Sequence, residues 1–310
     1  MKLSLSDYSV NHYVTRGTSQ REALSALRAC GFTHVDLEIR EAYLEGDLEE
    51  NARQLRALLA DVDLIASMAH APSVNPSKRR REATDSAVKT LRFCQIVGIP
   101  VLVIHPGAIR GNTREEFFDC NVSFFQSLIP YAEETGVTVA IENIGNYDDP
   151  YFLWNGADLR EMVDRVGHTM VGACWDIGHA NHFYPKDCDQ YRSIVALGEK
   201  LVAIHAHDNC GYIADTYRHS RMDLHTLPYF STAPSVNWDA VLQGLADVGY
   251  KGTFNFEVVA GNRSGCDPFE CRGETQSRLE HPSLRVWQAV NTALYEIGRE
   301  MLERYDAFEC

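Results

Sequence analysis

Met170-Val171-Gly172-Ala173-Cys174-Trp175-Asp176-Ile177-Gly178-His179 is a short apolar run that ends on an aspartate and a histidine. Ionisable groups beside an apolar strand are costly to bury unless they are paired or coordinated. The ending recurs along the chain. His70 closes Met68-Ala69-His70-Ala71-Pro72, His105 stands in Ile104-His105-Pro106-Gly107, and Glu142 in Ile141-Glu142-Asn143. His205 and Asp208 close Ile204-His205-Ala206-His207-Asp208, and Glu257 closes Phe254-Asn255-Phe256-Glu257.

These runs belong to a regular alternation. Strand-like segments at Lys2–Leu5, His34–Glu38, Leu64–Ala69, Val101–His105, Val137–Glu142, Met170–Asp176, Leu201–His207 and Gly252–Val258 are each followed by a helical pattern. Helices are predicted near Ser19–Cys30, Leu48–Ala60, Ser77–Val97, Thr113–Thr135, Gly156–Val166, Asp187–Leu197, Trp238–Val248 and Pro282–Arg304. That count closes a (β/α)8 TIM barrel, which takes about 250 residues plus insertions. An open doubly wound sheet has the same periodicity. With no linker or low-complexity tract, residues 1–310 are expected to form a single domain. The long connections 209–235 and 259–280 are expected on the catalytic face.

Composition narrows the function. The chain is 45% hydrophobic, and it contains no apolar run of the roughly 18 residues that a membrane span needs. No signal-peptide pattern follows Met1, and the nine cysteines are scattered without a Cys-x-x-Cys pair, so a cytoplasmic protein is expected. A net charge of −14 weighs against a nucleic-acid partner. The last helix and the long loops are candidate surfaces for a homo-oligomer.

Taken singly, a strand-end carboxylate reads as a helix cap and a strand-end histidine as a hydrogen-bonded core residue. Repeated at strand after strand and converging on one barrel mouth, they read as a metal site. The core quartet is Glu142, Asp176, His205 and Glu257, a ligand mixture suited to Mn²⁺, Zn²⁺, Co²⁺ or Mg²⁺.

The ordered set His-Ala-Pro at 70–72, His-Pro-Gly at 105–107, Glu-Asn at 142–143, Asp-x-x-His at 176–179, His-x-x-Asp at 205–208 and Glu257 resembles the xylose-isomerase-like barrels. That group includes sugar and sugar-phosphate isomerases and epimerases, and endonuclease IV. In the epimerase branch the resemblance implies one ion held by Glu142, Asp176, His205 and Glu257, with His179 contacting a carbohydrate substrate. It selects His205 over His207 as ligand, although strand alternation puts both on one face. In the endonuclease branch it implies additional metal ligands: His70 and His105, and His179 with Asp223 and His225.

Departures separate the branches. The first strand, Ser4-Leu5-Ser6-Asp7-Tyr8-Ser9, lacks the His-x-Ser-x-x-Gly-Gly opening of endonuclease IV, and Thr226-Leu227-Pro228 stands where a Gly-x-Gly loop belongs. Lys78-Arg79-Arg80-Arg81 reads as a solvated helix start. Asn209-Cys210-Gly211-Tyr212 replaces the arginine common after the His-x-x-acid motif of epimerases.

The resulting expectation is a divalent-metal-dependent isomerase or epimerase in which Glu142 and Glu257 transfer a proton through a metal-stabilised enediolate. His70, His105 and Trp175 would contact the sugar, Trp175 as part of an apolar wall with Tyr151, Phe152 and Trp154. The alternatives are a trinuclear zinc phosphodiesterase, a keto-sugar or cyclitol dehydratase or lyase, and a barrel that binds sugar without catalysis.

Overall fold

The computed structural model describes residues 1–144, 152–183, 189–209, 211, 224–229, 236–259 and 282–309. The strands are β1 (Leu3–Ser6), β2 (His34–Glu38), β3 (Ile65–His70), β4 (Val101–Ile104), β5 (Thr138–Glu142), β6 (Val171–Asp176), β7 (Leu201–Ala206) and β8 (Phe254–Phe256). All pairings are parallel and follow chain order, and β8 returns to β1. The sheet is therefore a closed barrel.

Helices α1 (Tyr8–Val14), α2 (Gln20–Ala29), α3 (Glu41–Leu44), α4 (Leu48–Asp61), α5 (Arg80–Val97) and α6 (Arg114–Thr135) accompany the first half. The second half carries α7 (Gly156–Val166), α8 (Ile177–Phe183), α9 (Gln190–Leu197), α10 (Trp238–Asp247) and α11 (Leu284–Glu303). Their starts have local causes. Ser19, Asp47, Asn155, Asn237 and Ser283 each accept the backbone N–H three residues on, and Thr113 and Glu116 form a reciprocal capping box. The helices α1, α3 and α8 were not expected from periodicity; each is seven residues or shorter, too short to display a repeating apolar face. Among the described residues no helix is long and apolar enough to cross a membrane. Cys30, Cys94, Cys120 and Cys174 are free thiols, and Cys266 and Cys271 lie outside the described residues.

Two apolar layers follow from the period-two alternation of strand side chains. Outward residues such as Leu37, Ala69, Ile104, Ile141, Trp175, Ile204 and Phe256 pack against the helices in the main core. Inward residues Met68, Val103, Ala140, Cys174 and Ala203 form a separate plug inside the barrel. Two positions beyond each plug residue stands His70, His105, Glu142, Asp176 or His205. The plug is thus the floor of an ionisable ring at the C-terminal mouth.

At the end of β1, Asp7 Oδ1 accepts the N–H of Glu38 at 2.8 Å, and the Asp7 N–H donates to Asp36 O at 2.9 Å. Burial pushes the Asp7 carboxyl up from 3.8 to about 7, against the backbone bond from Glu38. The folded state therefore prefers protonated Asp7, and its penalty is absent below the unfolded value and grows until pH passes about 7. Asp7→Asn is expected to stabilise the fold by on the order of 2 kcal/mol at pH 8, with the gain shrinking toward zero near pH 4. Denaturant unfolding of both proteins across that range measures it.

Candidate metal centre

Glu142 ends β5, is 1% exposed, and sits at the centre of the ring. Its Oε2 lies 3.0 Å from His70 Nε2 and 2.9 Å from His105 Nε2. Its Oε1 lies 3.3 Å from His205 Nδ1 and 3.4 Å from His179 Nδ1. The same His205 nitrogen is 3.3 Å from Glu257 Oε2 and 3.9 Å from Asp176 Oδ2. One donor atom from each of Glu142, Asp176, His205 and Glu257 falls within 4.8 Å of the others. The predicted quartet is brought together.

Several supports hold these groups in place. Asn143 ties β5 to β6 twice: its Nδ2 donates to Asp176 O at 2.8 Å, and its Oδ1 accepts the Asp176 N–H at 2.6 Å. Asp176 Oδ1 accepts the His179 N–H at 2.5 Å, which starts α8 immediately after the strand. His179 Nδ1 lies 3.0 Å from Asn143 O. Behind His205, Asp36 Oδ2 lies 3.5 Å from Nε2 and accepts a bond from Asn255 Nδ2 at 3.0 Å. A carboxylate on the far nitrogen orients an imidazole and raises its basicity as a ligand.

The electrostatics match a cation site. Burial alone would raise the Glu142 carboxyl, but His105 and His205, with hydrogen bonds from His105 and His179, hold it well below the usual range. Burial likewise opposes the ionised form of Glu257, and His205 outweighs it. Burial disfavours protonated His70, yet Glu142 lifts it to about 9; His205 is raised against its own burial by Cys174, Glu142 and Glu257. Burial dominates at His105 and lowers it. Asp176 Oδ2 is buried and makes no hydrogen bond among the described residues. A divalent ion fits this donor set: a buried oxygen awaits a partner, and clustered carboxylates require positive charge.

Two further groups adjoin the quartet. His70, His105 and Glu142 form one; His179, His207 and His225 form the other. His225 arrives because Asp208 and Thr226 exchange backbone bonds of 2.8 and 2.9 Å, folding that segment back over the mouth. Its Nδ1 lies 2.7 Å from Glu257 O. His207 stacks on His225 at 3.8 Å between ring centroids, and its Nε2 is 3.2 Å from Asp176 Oδ1. The resemblance favours His205 and passes over His207, although strand alternation sets both on one face. Asp36 was missed too; its signal was a charge at an inward position of β2. Asp223 and Tyr151 lie outside the described residues.

Trp175 requires correction as a sugar contact. It follows Cys174 and precedes Asp176, so alternation turns it to the outer face of β6. There it is 0% exposed and donates from Nε1 to Gln190 at the start of α9, at 3.0 Å. Phe152 packs on Phe117 and stacks with Trp154, whose residue is 42% exposed. Asp208 is an anchor: its carboxylate accepts from Asn209 N, Val236 N and Trp238 Nε1.

A Cβ at Gly178 would overlap the His207 ring. Gly178→Ala is therefore expected to push His207 off Asp176 and weaken divalent-metal binding at least about tenfold. Isothermal titration with Mn²⁺ and Zn²⁺, alongside circular dichroism to establish folding, checks this. An unchanged affinity would separate His207 from the metal centre.

A family model described as xylose isomerase-like TIM barrel matches residues 24–281. An uncharacterised protein of Methanocaldococcus jannaschii is 26% identical over 203 residues, covering 62% of this chain and 64% of that protein. The chain thus matches just under two thirds of that relative's length. A probable endonuclease 4 of Mesomycoplasma hyopneumoniae is 25% identical over 149 residues, covering 45% of this chain and 52% of that protein. Among solved structures, a D-tagatose 3-epimerase-like protein superposes with a TM-score of 0.72 at 22% identity, covering 99% of this chain and 98% of the other. The IolI protein with a bound zinc atom gives 0.71 at 14% identity over the whole of both chains.

Proposed function

We propose that this chain, which belongs to the xylose isomerase-like TIM barrel family, is a divalent-metal-dependent sugar isomerase or epimerase. The observation that carries this reading is the largely buried quartet in which Glu142 and Glu257 flank one histidine, each 3.3 Å from His205 Nδ1. A divalent ion held by Glu142, Asp176, His205 and Glu257 supplies Lewis acidity toward adjacent hydroxyl and carbonyl oxygens of a sugar. Both flanking carboxyls are held below their ordinary range, so at neutral pH each is an ionised base. One takes the proton from the hydroxyl-bearing carbon beside the carbonyl and later releases it to solvent; the other, protonated from solvent, returns one from its own side. Return to the opposite face gives an epimer; return to the neighbouring carbon, with a proton passing from the original hydroxyl to the former carbonyl oxygen, gives an isomer. His179, braced through Nδ1, is placed to steady a substrate hydroxyl, and His70 and His105 line the Glu142 side. The resemblance to sugar epimerase structures agrees with a neutral carbohydrate substrate.

A phosphodiesterase is the second reading, favoured by the two additional histidine-containing groups and by the endonuclease 4 relative. It needs ions at those groups to bind a phosphate and generate hydroxide. A dehydratase or lyase would share the first proton abstraction.

Elemental analysis of the purified protein, combined with a panel of keto- and aldo-sugars in deuterated water, distinguishes the readings. Deuterium incorporation at a sugar carbon is expected, falling by roughly 10²–10⁴-fold in Glu257→Gln. Three tightly held zinc ions with cleavage of abasic duplex, and no exchange on any sugar, would overturn the proposal.

A further inference from the structure

Glu38 is an acidic group at the mouth that belongs to none of the three candidate ligand groups among the described residues. It is the last residue of β2 and pairs in register with His70. Two residues earlier on the same strand face, Asp36 points inward, 1% exposed and bonded to Asn255. The period-two rule therefore directs Glu38 into the mouth, one layer above Asp36. Its carboxyl lies within electrostatic reach of His70, Glu257 and Arg40, with the Asn11 side chain within hydrogen-bonding reach. Asp7 Oδ1 fixes its backbone through the 2.8 Å bond to its N–H. Glu38 remains half-buried.

We propose that Glu38 is a specificity-determining residue, accepting a hydrogen bond from a hydroxyl at the end of the sugar remote from the metal quartet and repelling a phosphate there. This rests on the sugar reading above and narrows its substrate class to neutral polyols. A carboxylate at that position rewards a hydroxyl donor and penalises an anion.

The test takes the ketose that the wild-type holoenzyme exchanges fastest in deuterated water, its terminally deoxygenated analogue and its terminal phosphate ester. Glu38→Gln, the near-isosteric neutral variant, is expected to keep its metal content and kcat while KM for the ketose rises about tenfold or more. KM for the deoxy analogue should stay unchanged, and the preference for ketose over phosphate ester should narrow. Glu38→Asp, which keeps the charge and shortens the reach, should also raise KM for the ketose but retain discrimination against the ester. Wild-type exchange with an unaltered KM and unaltered ester discrimination in Glu38→Gln would overturn this inference alone. Equal loss on ketose and deoxy analogue would also overturn it, marking Glu38 as structural. No wild-type exchange on any sugar would overturn the functional reading and this inference together.

Discussion

A carboxylate carried to the centre of a barrel must be met by positive charge or by a full set of donors, because an isolated buried ion costs several kcal/mol. Glu142 is that carboxylate. It divides its oxygens, Oε2 toward His70 and His105 and Oε1 toward His205 and His179. Two candidate ligand groups consequently share it, and neither can be rearranged without moving the other. The neighbouring strands are braced to suit: Asn143, the next residue, clamps the Asp176 backbone from both sides.

The fold makes this convergence inexpensive. A closed parallel barrel sends alternate side chains of every strand to its interior. Small and medium apolar residues fill one level, and the position two residues further reaches the mouth. Cys174 and Asp176 on β6, or Ala203 and His205 on β7, are the same device repeated. The plug keeps water from beneath the ring, so its charges interact in a medium less screening than solvent. Low carboxyl and high imidazole values at Glu142 and His205 are two faces of that single coupling.

Much of this was legible before any coordinates. The eightfold βα alternation followed from the strand and helix patterns, because β4 to β7 are almost wholly apolar on both faces until their ends, as a sheet covered by helices demands. The quartet followed from ionisable residues interrupting those apolar runs. Closure was not legible, since it depends on β8 pairing with β1 across nearly the whole chain. Trp175 misled because an aromatic beside a ligand suggests a sugar platform, whereas alternation places it outward, where Gln190 satisfies its indole N–H. His207 and Asp36 were readable in principle: both are polar residues at inward positions. Their importance depends on partners distant in sequence, Asp176 and His225 for one, His205 and Asn255 for the other.

Charge balance connects this geometry to the choice between chemistries. When ionised, Glu142, Asp176 and Glu257 contribute three negative charges, which one divalent ion and a protonated His70 would together balance. Glu38 at the rim adds a negative charge when it ionises. On the proposed reading, a mouth holding a single ion would favour a neutral polyol, whose hydroxyls both donate to carboxylates and approach a cation, over a phosphodiester. Filling the imidazole-rich group of His179, His207 and His225 as well would reverse the sign, and a phosphate would then find a cationic clamp. The two readings thus share one scaffold and differ in how many ions the mouth retains. His207 couples these possibilities physically: it touches Asp176 of the first centre while stacked on His225 of the second, so metal ligation there would act on both.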